Sequence, residues 1–569
     1  MLQEATAVVA RIMALACSLG GVISGEHGIG ITKLEFLTQE EIAPFRAYKE
    51  RIDPEGRFNK GKLLAGADLT NAYTPSFSLL GAESLIMDQS AIGRIADSFK
   101  NCLRCGKCKP VCSTHVPRAN LLYSPRNKIL GASLLIEAFI YEEQTRRGVS
   151  RRHYTEFSDI ADHCSVCHKC LKPCPVDIDY GMVSVAQRNF LREQGKSAPN
   201  PGKALAMAFL NTTDPTTIKF MRKGLIQWGY RAQRVAVTTG RALGLTQDQV
   251  RRPPATVGAP TLRARLLHSI NKPLPGNLTD QTSRALLAIE DETIVPVIRN
   301  PRTVTEESDA VFYFPGCGSE RLFSQVALAT QAMLFHLGAR TVLPPGYLCC
   351  GFPQTSSGNH DKGQRITTAN RVLFHRMATT LNYLDIRTVL VSCGTCLDQF
   401  QQYEFDKIFP GCRLLDIHEY LLEKGISLQE ATDTRYLYHD PCHTPMKLHD
   451  PLTVANQLMG QRVELANRCC GEAGTLAVTR PDVSTQVRFR KEENLRKEAA
   501  HVREDGFSGQ IKVLTSCPSC LQGLARYETD ADIQADYIVV ELARRLLGAN
   551  WLADYMAKAA AGGVERVLL

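Results

Sequence analysis

Eighteen of the 20 cysteines in this 569-residue chain stand in short motifs, and their spacing says what they could hold. Cys102-x2-Cys105-x2-Cys108-x3-Cys112 comes first, and Cys164-x2-Cys167-x2-Cys170-x3-Cys174-Pro175 follows it. Two groups of five come later: Cys317, Cys349, Cys350, Cys393 and Cys396, then Cys442, Cys469, Cys470, Cys517 and Cys520. Thiolates are soft anionic ligands, and four that converge can hold an iron-sulfide core or a zinc ion. Disulfides are the weaker reading. The cysteines are sparse for a disulfide scaffold of this size, and no secretory signal opens the chain, so a reducing, cytoplasmic setting is expected. Cys17 and Cys412 stand outside the motifs and read as ordinary buried cysteines.

The first two runs have the spacing of bacterial ferredoxins, in which three thiolates two residues apart wrap one cluster and the fourth reaches across to the other. The expected sets are therefore Cys102, Cys105, Cys108 and Cys174 on one [4Fe-4S] cluster, and Cys164, Cys167, Cys170 and Cys112 on a second. Paired zinc sites also use C-x2-C spacing, but two complete four-cysteine runs favour iron-sulfur clusters. Ser113 stands where proline usually follows the fourth cysteine. The 51 residues between Cys112 and Cys164 are too many for a compact β-rich ferredoxin and carry a helical apolar pattern. The module resembles the α-helical ferredoxin of succinate dehydrogenase-like iron-sulfur subunits, which implies a wire for electrons.

Beyond Asp309, short β runs alternate with helices and the chain repeats itself. Ala310–Phe314 leads into Pro315-Gly316-Cys317 as Arg435–His439 leads into Asp440-Pro441-Cys442, and the strand before Cys393-x2-Cys396 matches the strand before Cys517-x2-Cys520. Matching cysteines are offset by 125 and 124 residues, and the Cys-Cys-Gly triplets at 349–351 and 469–471 by 120. Two homologous α/β halves follow, with cysteines delivered at the C-terminal ends of strands. Cys393 and Cys517 sit where helices could begin, so amide dipoles would favour an anionic thiolate group. The pattern resembles the CCG domain of heterodisulfide reductase catalytic subunits and of glycolate oxidase iron-sulfur subunits. That resemblance implies one or two further clusters, non-cubane or simpler, or zinc.

Residues 21–33, Gly-Val-Ile-Ser-Gly-Glu-His-Gly-Ile-Gly-Ile-Thr-Lys, resemble the C-terminal segment of FAD-linked oxidases that dehydrogenate D-2-hydroxy acids such as D-lactate and D-2-hydroxyglutarate. Asp53-Pro54 through Asn59, Gly61 and Lys62 fits the end of that domain, with Lys60 where proline is usual. The resemblance implies that Glu26 ligates a divalent metal and that His27 takes the substrate hydroxyl proton while hydride goes to FAD. A near-neutral base beside a Lewis acid suits such an oxidation. No flavin-binding portion precedes the segment, so the chain is expected to be the C-terminal part of a larger fused enzyme and to lack dehydrogenase activity alone.

The elements that must position these groups are expected as a multidomain α and α/β protein. The segments are a partial FAD-linked oxidase domain at 1–66, a linker at 67–97, an α-helical ferredoxin at 98–195, a basic helical linker at 196–308, and cysteine-rich domains at 309–430 and 431–569. Residues 5–23 suit a buried helix better than a membrane span, because Arg11 interrupts them and Gly20-Gly21 follows. A net charge of +9 is modest over this length and argues against a nucleic-acid partner. It is concentrated, however: Lys203 to Arg302 holds fifteen Lys or Arg against six Asp or Glu, interleaved with Phe220, Met221, Ile226, Trp228 and Tyr230. This stretch reads as a solvated linker packed on its neighbours, with a peripheral membrane-surface contact as the other reading.

Together these features describe an iron-sulfur oxidoreductase module. It takes electrons from a flavin dehydrogenase domain or subunit oxidising a D-2-hydroxy acid (D-lactate, D-2-hydroxyglutarate or glycolate type) and passes them to an acceptor such as a quinone or a cytochrome. Two alternatives stand beside it: a heterodisulfide reductase-like thiol-disulfide catalyst, and a zinc-stabilised docking scaffold on a ferredoxin.

Overall fold

The computed structural model describes residues 2–24, 33, 36–58, 90–116, 122, 124–144, 148–197, 199–246, 260–429 and 433–569. The chain forms two compact units, Met1–Ser76 and Phe77–Leu569. No helix among the described residues is long and apolar enough to cross a membrane.

In the first unit, helix Leu2–Ser18 precedes helix Gln39–Ile52. Thr38 and Glu41 form a reciprocal capping box at the start of the second helix, and Asp53 closes its end by accepting from the Arg57 and Phe58 amides at 2.7 and 2.9 Å. The first helix is not buried, contrary to the sequence expectation: Val8, Val9, Ile12 and Leu15 are exposed. Only Ile23 and Ile42 are buried hydrophobics among the described residues of this unit, so no described layer packs on the stripe.

The second unit opens on the helical ferredoxin. Helices Ala91–Asp97, Pro125–Gln144, Arg151–Asp162 and Tyr180–Glu193 enclose Phe99, Ile136, Phe139, Phe157, Ile160 and Phe190. Side chains of Ser90, Ser150 and Asp179 cap three of them. Ile95, Ala96 and Phe99 belong to this core, so residues 90–97 are part of it rather than of the linker expected at 67–97. The basic stretch is helical over Pro201–Asn211, Pro215–Met221, Gly229–Ala242, Leu262–Ser269 and Ser283–Leu287, with a π-helical segment at Arg222–Trp228.

The repeat appears as two sheets with matching strand order. Strands β1 (Ile294–Ile298), β2 (Ala310–Phe314), β3 (Arg340–Val342), β4 (Ile386–Val391) and β5 (Arg413–Asp416) precede β6 (Thr434–His439), β7 (Val463–Leu465), β8 (Gln510–Thr515), β9 (Gln534–Tyr537) and β10 (Val564–Leu568). The parallel order β3-β2-β4-β5 is repeated as β7-β6-β8-β9. The first sheet is then extended by β1, antiparallel to β3, and by β10, antiparallel to β1. Two expected boundaries are thereby corrected: β1 lies in the stretch read as linker to 308, and β10 belongs to the first sheet although it follows the second half. Pro296 inside Ile-Val-Pro-Val-Ile argues against a paired strand, yet its carbonyl still accepts from Leu343 N at 2.9 Å, so the strand lacks only the proline's own donor there. One continuous core joins the halves, with Val311, Tyr313, Leu334, Tyr438, Leu514 and Tyr537 among its members.

Candidate metal centres

Both ferredoxin loops use the same backbone device. Arg104 and Gly106 flank Cys105 with φ of 55° and 79°, and Val166 and His168 flank Cys167 with φ of 52° and 54°. Left-handed residues on either side of the second cysteine turn the chain tightly enough to aim successive thiols inward. For β-branched Val166 that conformation is unfavourable, so the surrounding structure must hold it. Amides point at the sulfurs as they would at an anion: Val166 N lies 3.4 Å from Cys164 Sγ and Ile178 N 3.3 Å from Cys174 Sγ. Cys102, Cys105, Cys108 and Cys174 line one cavity, together with Cys170. The chain at Cys112 lies against the second run, where Ser113 Oγ is 3.5 Å from Cys167 Sγ and 2.6 Å from Ser165 Oγ.

In the α/β halves, β2 and β4 deliver Cys317 and Cys393, and β6 and β8 deliver Cys442 and Cys517. Cys393 and Cys517 stand in extended conformation immediately before helices Gly394–Phe400 and Pro518–Ala525. The Cys-Cys-Gly turns are held identically: Gly351 and Gly471 have φ of 95° and 89°, and the hydroxyls of Tyr403 and Tyr527 donate at 2.9 Å to the carbonyls of Cys350 and Cys470. Likewise Tyr313 meets Ser392 Oγ at 2.8 Å as Tyr438 meets Ser516 Oγ at 3.1 Å.

The thiols form a continuous series. Cys317 meets Cys349, and Cys350 meets Cys396 beside Cys393. Cys393 meets Cys517 of the other half, Cys470 and Cys520 are 3.6 Å apart, and Cys442 and Cys469 are 3.8 Å apart. Cys442 finally meets Cys167 of the ferredoxin. Protons are shared unevenly along the series, and Cys349, Cys469 and Cys517 are among the thiols pushed up. Hydrogen bonds from neighbouring thiols hold Cys350 down to about 6 and put Cys167, Cys393 and Cys470 well below the ordinary thiol value, while the donors Cys317, Cys396, Cys442 and Cys520 are pushed up. These shared protons are what a cationic metal core displaces, and no motif cysteine is tied up in a disulfide. The donor set thus fits thiolate-held iron-sulfur groups in both halves as well as in the ferredoxin.

Several contributors were not singled out from sequence. His439 lies with Cys470 and Cys520 so that their ligand atoms are all within 4.8 Å of one another. Lys491 Nζ approaches His439 Nδ1 at 3.2 Å while donating to the Ala466 and Asn467 carbonyls at 2.8 and 2.7 Å. The repeat held the signal, because Phe314 occupies the matching place in the first half. His443 joins three segments, bonding Asp398 at 2.6 Å through Nδ1 and the Val166 carbonyl at 2.8 Å through Nε2. Cys412 is half-buried but Cys17 is exposed, against the expectation of burial. Glu26 and His27 lie outside the described residues.

Comparison with known proteins finds families matching these modules. Residues 1–63 match the family "FAD linked oxidases, C-terminal domain", 98–178 the "4Fe-4S dicluster domain", and 311–401 and 436–525 the "Cysteine-rich domain"; a domain of unknown function covers 525–569. The chain is 24% identical over 396 residues to one of the subunits of the fumarate reductase (CoM/CoB) of Methanothermobacter marburgensis, covering 67% of this chain and 71% of that one. It is 22% identical to the probable glycolate oxidase iron-sulfur subunit of Bacillus subtilis, over 74% of this chain and 87% of that protein. Lactate utilization protein A of Exiguobacterium sp. is 26% identical over 34% of this chain and 83% of its own length. No solved structure matches the chain.

Proposed function

We propose that this chain, an iron-sulfur oxidoreductase uniting a FAD-linked oxidase C-terminal segment with a 4Fe-4S dicluster domain and two cysteine-rich domains, carries electrons away from the flavin-dependent oxidation of a D-2-hydroxy acid. Relatives named as glycolate oxidase iron-sulfur subunits and lactate utilization protein A support that class of substrate. The flavin belongs to a partner domain or subunit, in whose site Glu26 and His27 would act as metal ligand and proton acceptor. Cys102, Cys105, Cys108 and Cys174 would hold one cluster and Cys164, Cys167, Cys170 and Cys112 the next. Each cysteine-rich half would hold a further group through its five thiols. Bound iron-sulfur clusters supply one-electron transfer at potentials set by hydrogen bonds and burial.

The observation that carries this reading is the unbroken run of thiol contacts from Cys167 through Cys442 and Cys393 to Cys317. It orders the groups as ferredoxin, second half, first half. The chain's own residues keep that run dry and aligned: His443 ties the Cys442 loop to the Val166 carbonyl, and Tyr403 and Tyr527 pin the Cys-Cys-Gly turns. Metal analysis of anaerobically prepared protein tests the reading. About sixteen irons per chain are expected; about eight, with zinc filling the halves, leaves only the ferredoxin and supports the docking scaffold instead.

A second reading, reduction of a disulfide, is favoured by the fifth cysteine in each half and by the meeting of the two halves at Cys393 and Cys517. Turnover of a disulfide with a viologen donor would establish it, and absence of turnover in iron-replete protein would remove it.

A further inference from the structure

The basic helical stretch presents exposed apolar side chains that no described residue of the second unit covers. Phe220 is 80% exposed, Trp228 66%, Leu243 69% and Leu262 74%, and Val235 and Leu245 are exposed beside them. A groove of about 600 Å³ runs among Trp228, Val235, Leu243, Leu245 and Ile270. Large aromatic and aliphatic side chains gathered this way mark a contact surface rather than the scattered exposure ordinary proteins tolerate.

Charge selects the partner. Residues 214–246 and 260–280 contain nine Lys or Arg against two acids, Asp214 and Asp280. Some of the nine are used internally: Arg222 donates to the Thr279 carbonyl, Arg234 to the Pro275 carbonyl at 2.8 Å, Lys219 pairs with Glu290 at 2.6 Å, and Lys272 with Glu492 at 2.7 Å. Lys223, Arg231 and Arg263 are exposed around the apolar face. Lys223 lies 5.8 Å over the Trp228 ring, so cation and aromatic share one edge of the patch. Exposed tryptophan, phenylalanine and leucine among which lysine and arginine outnumber the exposed Asp214 and Asp280 complement a layer that is apolar below and anionic on top.

We propose that this face docks on the surface of an anionic phospholipid bilayer. The helix Gly229–Ala242 is two-faced in a way that gives the docking a purpose. Arg231 and Val235, with Trp228 just before the helix, are exposed, while Tyr230 looks inward and donates at 2.8 Å to Gln522 Oε1. Gln522 in turn donates to Glu472 at 3.2 Å, and these two residues adjoin Cys520 and the Cys469-Cys470-Gly471 turn. The cysteine group of the second half therefore lies one side-chain layer behind the docking face. Resting on the electron-carrying reading, this places the acceptor in the bilayer, as a lipid-soluble molecule.

Cosedimentation of the full chain with vesicles tests the docking independently of its metal content. Binding is expected to vesicles of equal phosphatidylglycerol and phosphatidylcholine and to be far weaker to phosphatidylcholine alone. Trp551 is buried, so a blue shift of tryptophan emission on binding reports Trp228. Lys223→Gln with Arg231→Gln should lower the partition about thirtyfold, at about fivefold per basic residue near an anionic surface. Phe220→Ser with Trp228→Ser should lower it about tenfold or more without changing circular dichroism or iron content. Absence of binding to either vesicle, or binding that all four substitutions leave intact, overturns the proposal. So does concentration-dependent self-association abolished by Phe220→Ser with Trp228→Ser, which would assign the face to a second copy of the chain. Iron content and dithionite bleaching, measured on the same preparations, report separately on the electron-carrying reading.

Discussion

Arg480 offers the sharpest test of how the ferredoxin is locked to the second cysteine-rich half. It is buried, grips Asp482 of its own half with two bonds of 2.9 and 2.8 Å, and reaches Asp159 of the ferredoxin at 2.6 Å. Burial pushes Asp482 up, but the Arg480 hydrogen bonds and charge outweigh it and hold the carboxyl below the ordinary range; at Asp159 burial wins and the carboxyl sits high. Arg480→Met keeps the volume and leaves both carboxylates buried without their cation, at a cost of about 3–5 kcal/mol. A unit of about 490 residues has an unfolding entropy near 1 kcal/mol per degree, so the melting midpoint should fall by about 3–5 °C if the unit melts cooperatively. The pH dependence supplies the sign. A depressed carboxyl such as Asp482 contributes stability above its unfolded pKa and loses it as pH falls through the folded one. In the variant both carboxyls rise, so the deficit should be largest near neutrality and shrink below about pH 5 as they take up protons. Differential scanning calorimetry at pH 7.5 and 5 measures it, with Arg480→Met/Asp482→Asn expected to recover part of the loss. A deficit under about 1 kcal/mol, or one that ignores pH and the second substitution, refutes the argument.

Tyr527→Phe removes one buried bond to a Cys-Cys-Gly carbonyl and should cost about 1–2 kcal/mol in thermal unfolding, whereas Tyr403→Phe also removes the bond its hydroxyl accepts from Asn370 at 2.9 Å and should cost more. Gly471→Ala puts a Cβ 2.6 Å from Arg488 Cγ at a φ of 89°, so iron should fall by about four per chain while the ferredoxin EPR signals persist. Glu541 is pushed up by burial but pulled down to about 2 by Lys512, Arg545 and Tyr436, so its stabilisation is present above the unfolded pKa and lost as pH falls from about 4.5 toward 2. Acid-unfolding profiles of Glu541→Gln should lack that part of the slope.

The sequence made the metal-binding groups legible because thiolate spacing is local and because duplication writes the same pattern twice. The halves, their cysteine-bearing strand ends and the helical character of the ferredoxin all follow from such short-range signals, and the two parallel strand orders match as duplication requires. Long-range partnership left no comparable trace. Nothing near Ile294 announces pairing with Leu568, and Pro296 argues against it. Nothing around Cys442 announces Cys167, since the contact arises from how two modules dock. His439 was visible only as a break in the repeat, where an imidazole replaces Phe314. The helix Leu2–Ser18 was misjudged because apolar content forecasts burial only where a second apolar layer exists to meet it.

The antiparallel pairing of β1 with β10 also sets an order of assembly. A nascent polypeptide can complete its four-stranded sheet once Tyr537 has emerged, whereas the six-stranded one keeps a bare edge until Leu568 is made. During that interval Ile294–Ile298 offers unsatisfied amides and carbonyls to any passing strand. The half translated earlier is thus the half finished later, and its exposure to mispairing lasts as long as the ribosome takes to deliver the closing segment.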